Sequence, residues 1–119
     1  MNAQTALDFS RTEPQSPREL MESALAWIDS NRAAWSLLVE YAFRDADRLG
    51  RVRVKRYIED LRCSPLVWHE TGAVKLPNGY SSAFGRILAA WYPEVAPFVP
   101  LQSSKLDGCS IPPKPEWLH

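Results

Sequence analysis

The sequence predicts a mainly α fold class: a small helical domain with a short β-hairpin, like the winged-helix and helix-turn-helix plan. Four segments carry apolar residues at the spacing of an amphipathic helix. Between the third and the fourth lies a short stretch rich in strand-forming residues. At 119 residues the chain is long enough to bury an apolar core without disulfides.

The first predicted helix begins after Ser16, with Pro17 in its first turn and Glu19 placed to complete a capping box. Its apolar face consists of Leu20, Ala24, Trp27 and Ile28.

The second predicted helix follows a break at residues 29–31 and ends at Gly50, since glycine is common just past a helix end. Its apolar stripe consists of Trp35, Leu38, Val39, Ala42, Ala46 and Leu49.

The second helix has a further, smaller apolar patch made of Ala34, Leu37 and Tyr41. A helix that is apolar on two sides is usually central. A third helix is predicted from Arg53 to Arg62, and its inward residues are Val54, Tyr57, Ile58 and Leu61.

The predicted hairpin covers residues 66–76, with a turn at Gly72. The fourth helix opens at Tyr80 or Ser81 and ends at Tyr92, before a proline. Its buried face consists of Phe84, Ile87, Leu88 and Trp91. The predicted core of the domain contains Trp27, Trp35, Leu38, Ile58, Leu61, Phe84, Ile87 and Trp91.

Prolines lie mostly near the two ends of the chain, where they mark segments that cannot continue a helix. We therefore expect a flexible arm over residues 1–15, a domain over 16–99 and an extended, proline-rich tail over 100–119. We expect the end of the tail to be disordered. The alternative is that Trp117 and Leu118, an apolar pair near the end, dock on the domain or on a partner.

Between about residues 32 and 107 the chain carries a series of short motifs: Gly50, Arg62, Glu70-Thr71, Val74-Lys75-Leu76, Asn78-Gly79-Tyr80, Arg86, Tyr92-Pro93-Glu94 and Phe98. In these motifs the sequence resembles a family of small phage and prophage proteins. Pro77 and Gly79 stand where relatives more often have polar residues. The resemblance implies a viral or integrated-element origin and no particular activity.

Residues for catalysis or for metal binding are few. The chain has two cysteines and two histidines, without the spacing of a metal site. Cys63 and His69 lack a third residue that would orient them for nucleophilic catalysis. We therefore expect no enzyme activity, no metal and no cofactor.

No apolar run approaches the roughly 20 residues that span a bilayer, and residues 1–16 lack the pattern of a signal peptide. The expected location is the host-cell cytoplasm.

The charge of the chain is unevenly distributed. The formal net charge is zero, but residues 48–62 hold six cations and two acids. We call the cations of this segment the basic band, and we expect contacts with a phosphate backbone from Arg48, Arg51, Arg53, Lys55 and Arg56. Alternatively, ion pairs of Lys55 with Glu59 and of Arg56 with Asp60 would make the band an ordinary solvated surface.

The fourth helix is expected to expose a face of small residues, because Ser82, Gly85, Arg86 and Ala89 lie opposite its apolar stripe. This face would approach either another protein or a nucleic-acid groove, in which case the contacting residues would be Tyr80, Ser81, Ser82 and Arg86. Alternatively, Gly85 packs against the hairpin or the tail of the chain itself.

Two functions remain open at this point. In the first, the protein is a phage-type regulator that binds nucleic acid through the basic band and the fourth helix. In the second, it is an interaction protein without catalytic activity that binds and inhibits a host factor. Its contacts would then be an acidic front over residues 1–43, the patch with Leu37 and Tyr41, and Trp117 in the tail.

Overall fold

The protein is described here from a computed structural model that covers residues 16–63, 79–101 and 105–118. This part of the chain forms four α-helices: α1 (Pro17–Ser30), α2 (Arg32–Leu49), α3 (Val54–Arg62) and α4 (Tyr80–Trp91). Two 3₁₀ helices follow, at Ala96–Phe98 and Lys105–Gly108.

The helix ends follow the local signals in the sequence. Ser16 Oγ accepts a hydrogen bond from Glu19 N at 3.1 Å, and Glu19 Oε1 accepts one from Ser16 N at 3.0 Å. The predicted capping box of α1 is therefore confirmed. Helix α2 ends at Gly50, whose φ of 66° lies in the left-handed region that glycine adopts without strain.

The predicted fold class is wrong in its β component. The described ranges contain helices, turns and irregular segments but no strand, so the winged-helix and helix-turn-helix plan does not apply. Helix α4 packs against α1 and α3 and against both 3₁₀ helices, so helices and a C-terminal segment cover it where a hairpin was expected. The predicted hairpin at 66–76 and the predicted arm at 1–15 lie outside the described residues.

The core is organised around Phe84 of α4. The Phe84 ring centroid lies 5.2 Å from that of Trp35, 5.5 Å from that of Trp27 and 5.6 Å from that of Tyr80. Trp91 continues the cluster with an edge contact to Trp35 at 6.0 Å. The predicted core is confirmed, except that Trp27 is half-buried.

The C-terminal segment 105–118 packs against the helices. Leu106 and Leu118 are buried in the same core. Trp91 Nε1 donates a hydrogen bond to the carbonyl oxygen of Pro112 at 2.7 Å. The guanidinium of Arg32 lies 4.7 Å from the ring centroid of Trp117. Of the alternatives that the sequence left open, docking on the domain itself is the one observed.

Candidate nucleic-acid interface

A buried carboxylate joins the end of α2 to the start of α3. Asp45 is 3% exposed and receives hydrogen bonds from three side chains. Its Oδ2 accepts from Tyr57 Oη at 2.7 Å and from Arg53 Nε and Nη2, both at 3.0 Å. Its Oδ1 accepts from Arg44 Nε at 3.2 Å. The position of Arg53 at the start of α3 is thereby fixed.

The protonation states of this network follow from its geometry. Burial raises the pKa of Asp45, but the hydrogen bonds from Tyr57, Arg53 and Arg44 outweigh it, so the pKa lies below its ordinary value. Burial is also the largest cause that raises the pKa of Tyr57 to about 12. At neutral pH, Asp45 is therefore an anion and Tyr57 a neutral donor.

A groove of about 540 Å³ lies between the start of α3, the first turns of α4 and residues 99–101. Its cations are Arg51, Arg53 and Lys55, and its hydroxyl groups belong to Ser81 and Ser82. Its apolar lining residues are Val52, Val54, Val99 and Leu101, of which Leu101 is exposed. Arg86 also lines the groove, so six of the nine residues predicted to bind nucleic acid lie together.

The basic band is only partly neutralised. Arg56 pairs with Asp60 Oδ1 at 3.4 Å, as the solvated-surface alternative required. The other pair of that alternative does not form, because Glu59 instead accepts a hydrogen bond from Arg62 at 2.7 Å. Within the described ranges, Arg48, Arg51 and Lys55 are exposed and make no ion pair. Of these three cations, Arg51 and Lys55 lie in the groove and Arg48 does not.

The expectation of an exposed face on α4 is wrong. Gly85 and Arg86 are buried, because Val99 and Leu101 lie against Gly85 and Asp107 lies against Arg86. A Cβ built on Gly85 would lie 3.2 Å from Leu101 Cδ2, so the alternative that Gly85 packs against the tail is the one observed.

Arg86 serves as an internal anchor. Its Nε and Nη2 donate to Asp107 Oδ1 at 3.0 Å and 2.7 Å, and its Nη1 donates to Ser82 Oγ at 2.9 Å. These contacts hold the 3₁₀ helix Lys105–Gly108 against α4, and they occupy the donors that base recognition would need.

The remaining predicted contact residues are partly engaged within the fold. Tyr80 is half-buried against Phe84 and does not line the groove. Leu37, Tyr41 and Trp117, the proposed partner surface, are all half-buried. The Tyr41 ring lies 5.7 Å from that of Tyr57.

We also looked for metal sites, membrane-spanning helices and similar proteins, and none was found for the described residues or, in the comparisons, for the chain. Across 16–63, 79–101 and 105–118, no group of three or more His, Cys, Asp or Glu side chains could hold a metal ion. None of the helices described combines the length and apolar character needed to cross a bilayer. Comparisons of the chain with protein-family models, curated proteins and solved structures found no match.

Proposed function

We propose that this protein binds nucleic acid through the groove and acts as a small regulator of the phage or prophage type. The observation that carries the proposal is the concentration of Arg51, Arg53 and Lys55 on a groove that also presents Ser81 and Ser82. Arginine, lysine and serine side chains are the usual partners of phosphate oxygens in nucleic-acid complexes.

The helices around the groove support the same proposal. Neither α3 nor α4 has a side-chain hydrogen bond at its N-cap, and neither has an acidic residue in its first turn. Peptide dipoles give helix N-termini a partial positive charge that favours phosphate. This charge adds to that of Arg51 and Lys55.

The zero net charge of the chain determines the kind of binding that we expect. Bulk attraction to a polyanion is absent, so binding depends on the few cations of the groove. With about two to three phosphates in contact, the slope of log K against log salt would be about −2 to −3 on duplex.

A paired replacement tests the proposal. Arg51→Gln with Lys55→Gln is expected to weaken binding to every sequence alike and to make the salt slope shallower by about one to two. Fluorescence anisotropy of labelled duplex and single-stranded oligonucleotides, over a salt series, measures both effects. Arg53 is left intact because it holds Asp45.

The matched control is Arg18→Gln with Lys114→Gln, which removes one arginine and one lysine outside the groove. Arg18 pairs with Glu22 on the exposed side of α1, and Lys114 lies over the Tyr92 ring. The control should bind like the parent. Equal binding by the groove variant and the parent, or no binding by the parent at low salt, would contradict the proposal.

A second candidate function is a noncatalytic module that binds and inhibits a host protein. The observation in its favour is a set of exposed apolar side chains, Phe43 at 38%, Leu49 at 57% and Phe98 at 37% exposure. Val52 N donates to the carbonyl oxygen of Phe98 at 2.9 Å, which brings the 3₁₀ helix near the end of α2. A parent protein that binds no nucleic acid at low salt would favour this candidate.

A further inference from the structure

The groove is more enclosed than contact with a duplex backbone requires. Duplex phosphates lie on the outside of the double helix, so cations on a flat or convex surface can reach them. This groove is concave, and its volume of about 540 Å³ lies within the range of roughly 300–1,000 Å³ typical of small-ligand pockets. A single nucleotide is a ligand of this size class.

The apolar part of the groove has no role in phosphate contact. Val52 and Val99 are buried, whereas Leu101 is 46% exposed. Gly85 has no side chain, and Leu101 lies directly against its backbone. The exposed area of Leu101 is therefore a surface that a sugar or base could cover, with a gain from removing apolar area from water.

The cations of the groove match a doubly charged group. Arg51 and Lys55 make no ion pair with any described residue, and the side chain of Arg53 is 43% exposed although it holds Asp45. A phosphodiester carries one negative charge, whereas a phosphomonoester carries about −1.5 to −2 at neutral pH. Two cations that form no ion pair with a described residue, and Arg53 as a third cation in the groove, favour the monoester.

We propose that the groove binds a nucleotide that carries a terminal phosphomonoester. The phosphate lies between Arg51 and Lys55, and the sugar and base rest on the exposed side chain of Leu101. The inference rests on the proposed function and names its ligand. The source of this chemistry is the phosphorylated end of a strand or a free mononucleotide, and the two sources are separated by experiment.

Calorimetric titration of the full chain tests the inference with single-stranded 10-mers that carry a 5′-phosphate, a 3′-phosphate or hydroxyl groups at both ends. At least one phosphorylated strand is expected to bind about fivefold or more tightly than the hydroxyl strand. Competition by adenosine 5′-monophosphate with the phosphorylated strand would assign the site to free nucleotides as well. Without such competition, the site is specific for strand ends.

Two matched variants locate the effect. Leu101→Glu, which places a carboxylate among the lining residues of the groove, is expected to reduce the preference for the phosphorylated strand to less than twofold. Leu49→Glu makes the same change at an exposed leucine outside the groove and should keep the preference. Circular dichroism checks that both variants fold.

Three results would overturn the inference. If hydroxyl and phosphorylated strands bind the parent equally, the terminal-phosphate site is wrong while the proposed function stands. If folded L101E keeps the full preference, the phosphate lies elsewhere. If no strand binds at low salt, both the inference and the proposed function fail.

Discussion

Asp45→Ala is expected to lower the free energy of unfolding by about 3 kcal/mol at neutral pH, near the lower end of the range for breaking a buried ion pair. The variant loses the acceptor of Tyr57 Oη, which is buried, and the partner of Arg53. The arginine side chains are 43% exposed and regain water, which keeps the loss below the upper end of that range. Urea unfolding followed by circular dichroism measures the change.

The pH dependence of the free energy of unfolding distinguishes the contribution of the Asp45 charge from that of the size of its side chain. The folded-state pKa of Asp45 lies below its ordinary value of 3.8, so its stabilisation is complete above about pH 5 and is lost as the pH falls through the folded-state pKa. The stability difference between the parent and Asp45→Ala should therefore shrink on acidification. Asp45→Asn, which keeps the size of the side chain, should lose less stability than alanine at pH 7. A difference that grows below pH 4 would contradict the assignment.

Phe84→Ala is expected to lower the free energy of unfolding by about 3–5 kcal/mol, the usual cost of removing a buried aromatic ring. The Phe84 ring is fully buried and contacts Trp27 of α1, Trp35 of α2 and Tyr80 of its own helix. Its loss leaves a cavity where three helices meet. Denaturant unfolding gives the value directly.

Two control variants show whether the loss of stability at Phe84 comes from the volume and the burial of its ring. Phe84→Leu keeps most of the volume and should cost less than about 1.5 kcal/mol. Phe43→Ala removes the same ring from a side chain that is 38% exposed, and we expect a cost below about 1 kcal/mol. A loss below 1 kcal/mol for Phe84→Ala would show that this residue does not organise the core.

The helices were predictable because their signals are local. Ser16 and Glu19 lie three residues apart, so the capping box is legible without any tertiary contact. Gly50 likewise ends α2 through its own backbone freedom. The strand-forming composition at 66–76 was also local, but the helical packing around α4 did not support the fold class inferred from it.

The roles of Arg86 and of the C-terminal segment depend on contacts between distant residues. Arg86 bonds Asp107 and Trp91 bonds Pro112, each pair 21 residues apart, and no periodicity reports such contacts. A usable signal was present all the same. Arg86 is the one charged residue of α4. A single charge on an otherwise uncharged helix indicates a buried, paired cation more than an exposed side chain that contacts bases.

The residues of the candidate site were easier to predict from the sequence than the shape of the groove that they line. The basic band and the start of α4 were identified from charge and polarity, and the fold brings parts of both to one groove. Asp45 was missed, although it lies at helical spacing from the buried residues Leu38 and Ala42. An acid in an apolar stripe, eight residues before Arg53, was a signal of a buried pair.

The most direct test of the groove as the binding site is a nuclear magnetic resonance titration of the isotope-labelled chain with a short oligonucleotide at low salt. If the groove binds the oligonucleotide, the largest amide shifts are expected at residues 51–55, 81–86 and 99–101, with little change along the acidic, outward side of α1. Shifts centred on Phe43 and Leu49, or an unchanged spectrum at a large excess of oligonucleotide, would contradict binding in the groove.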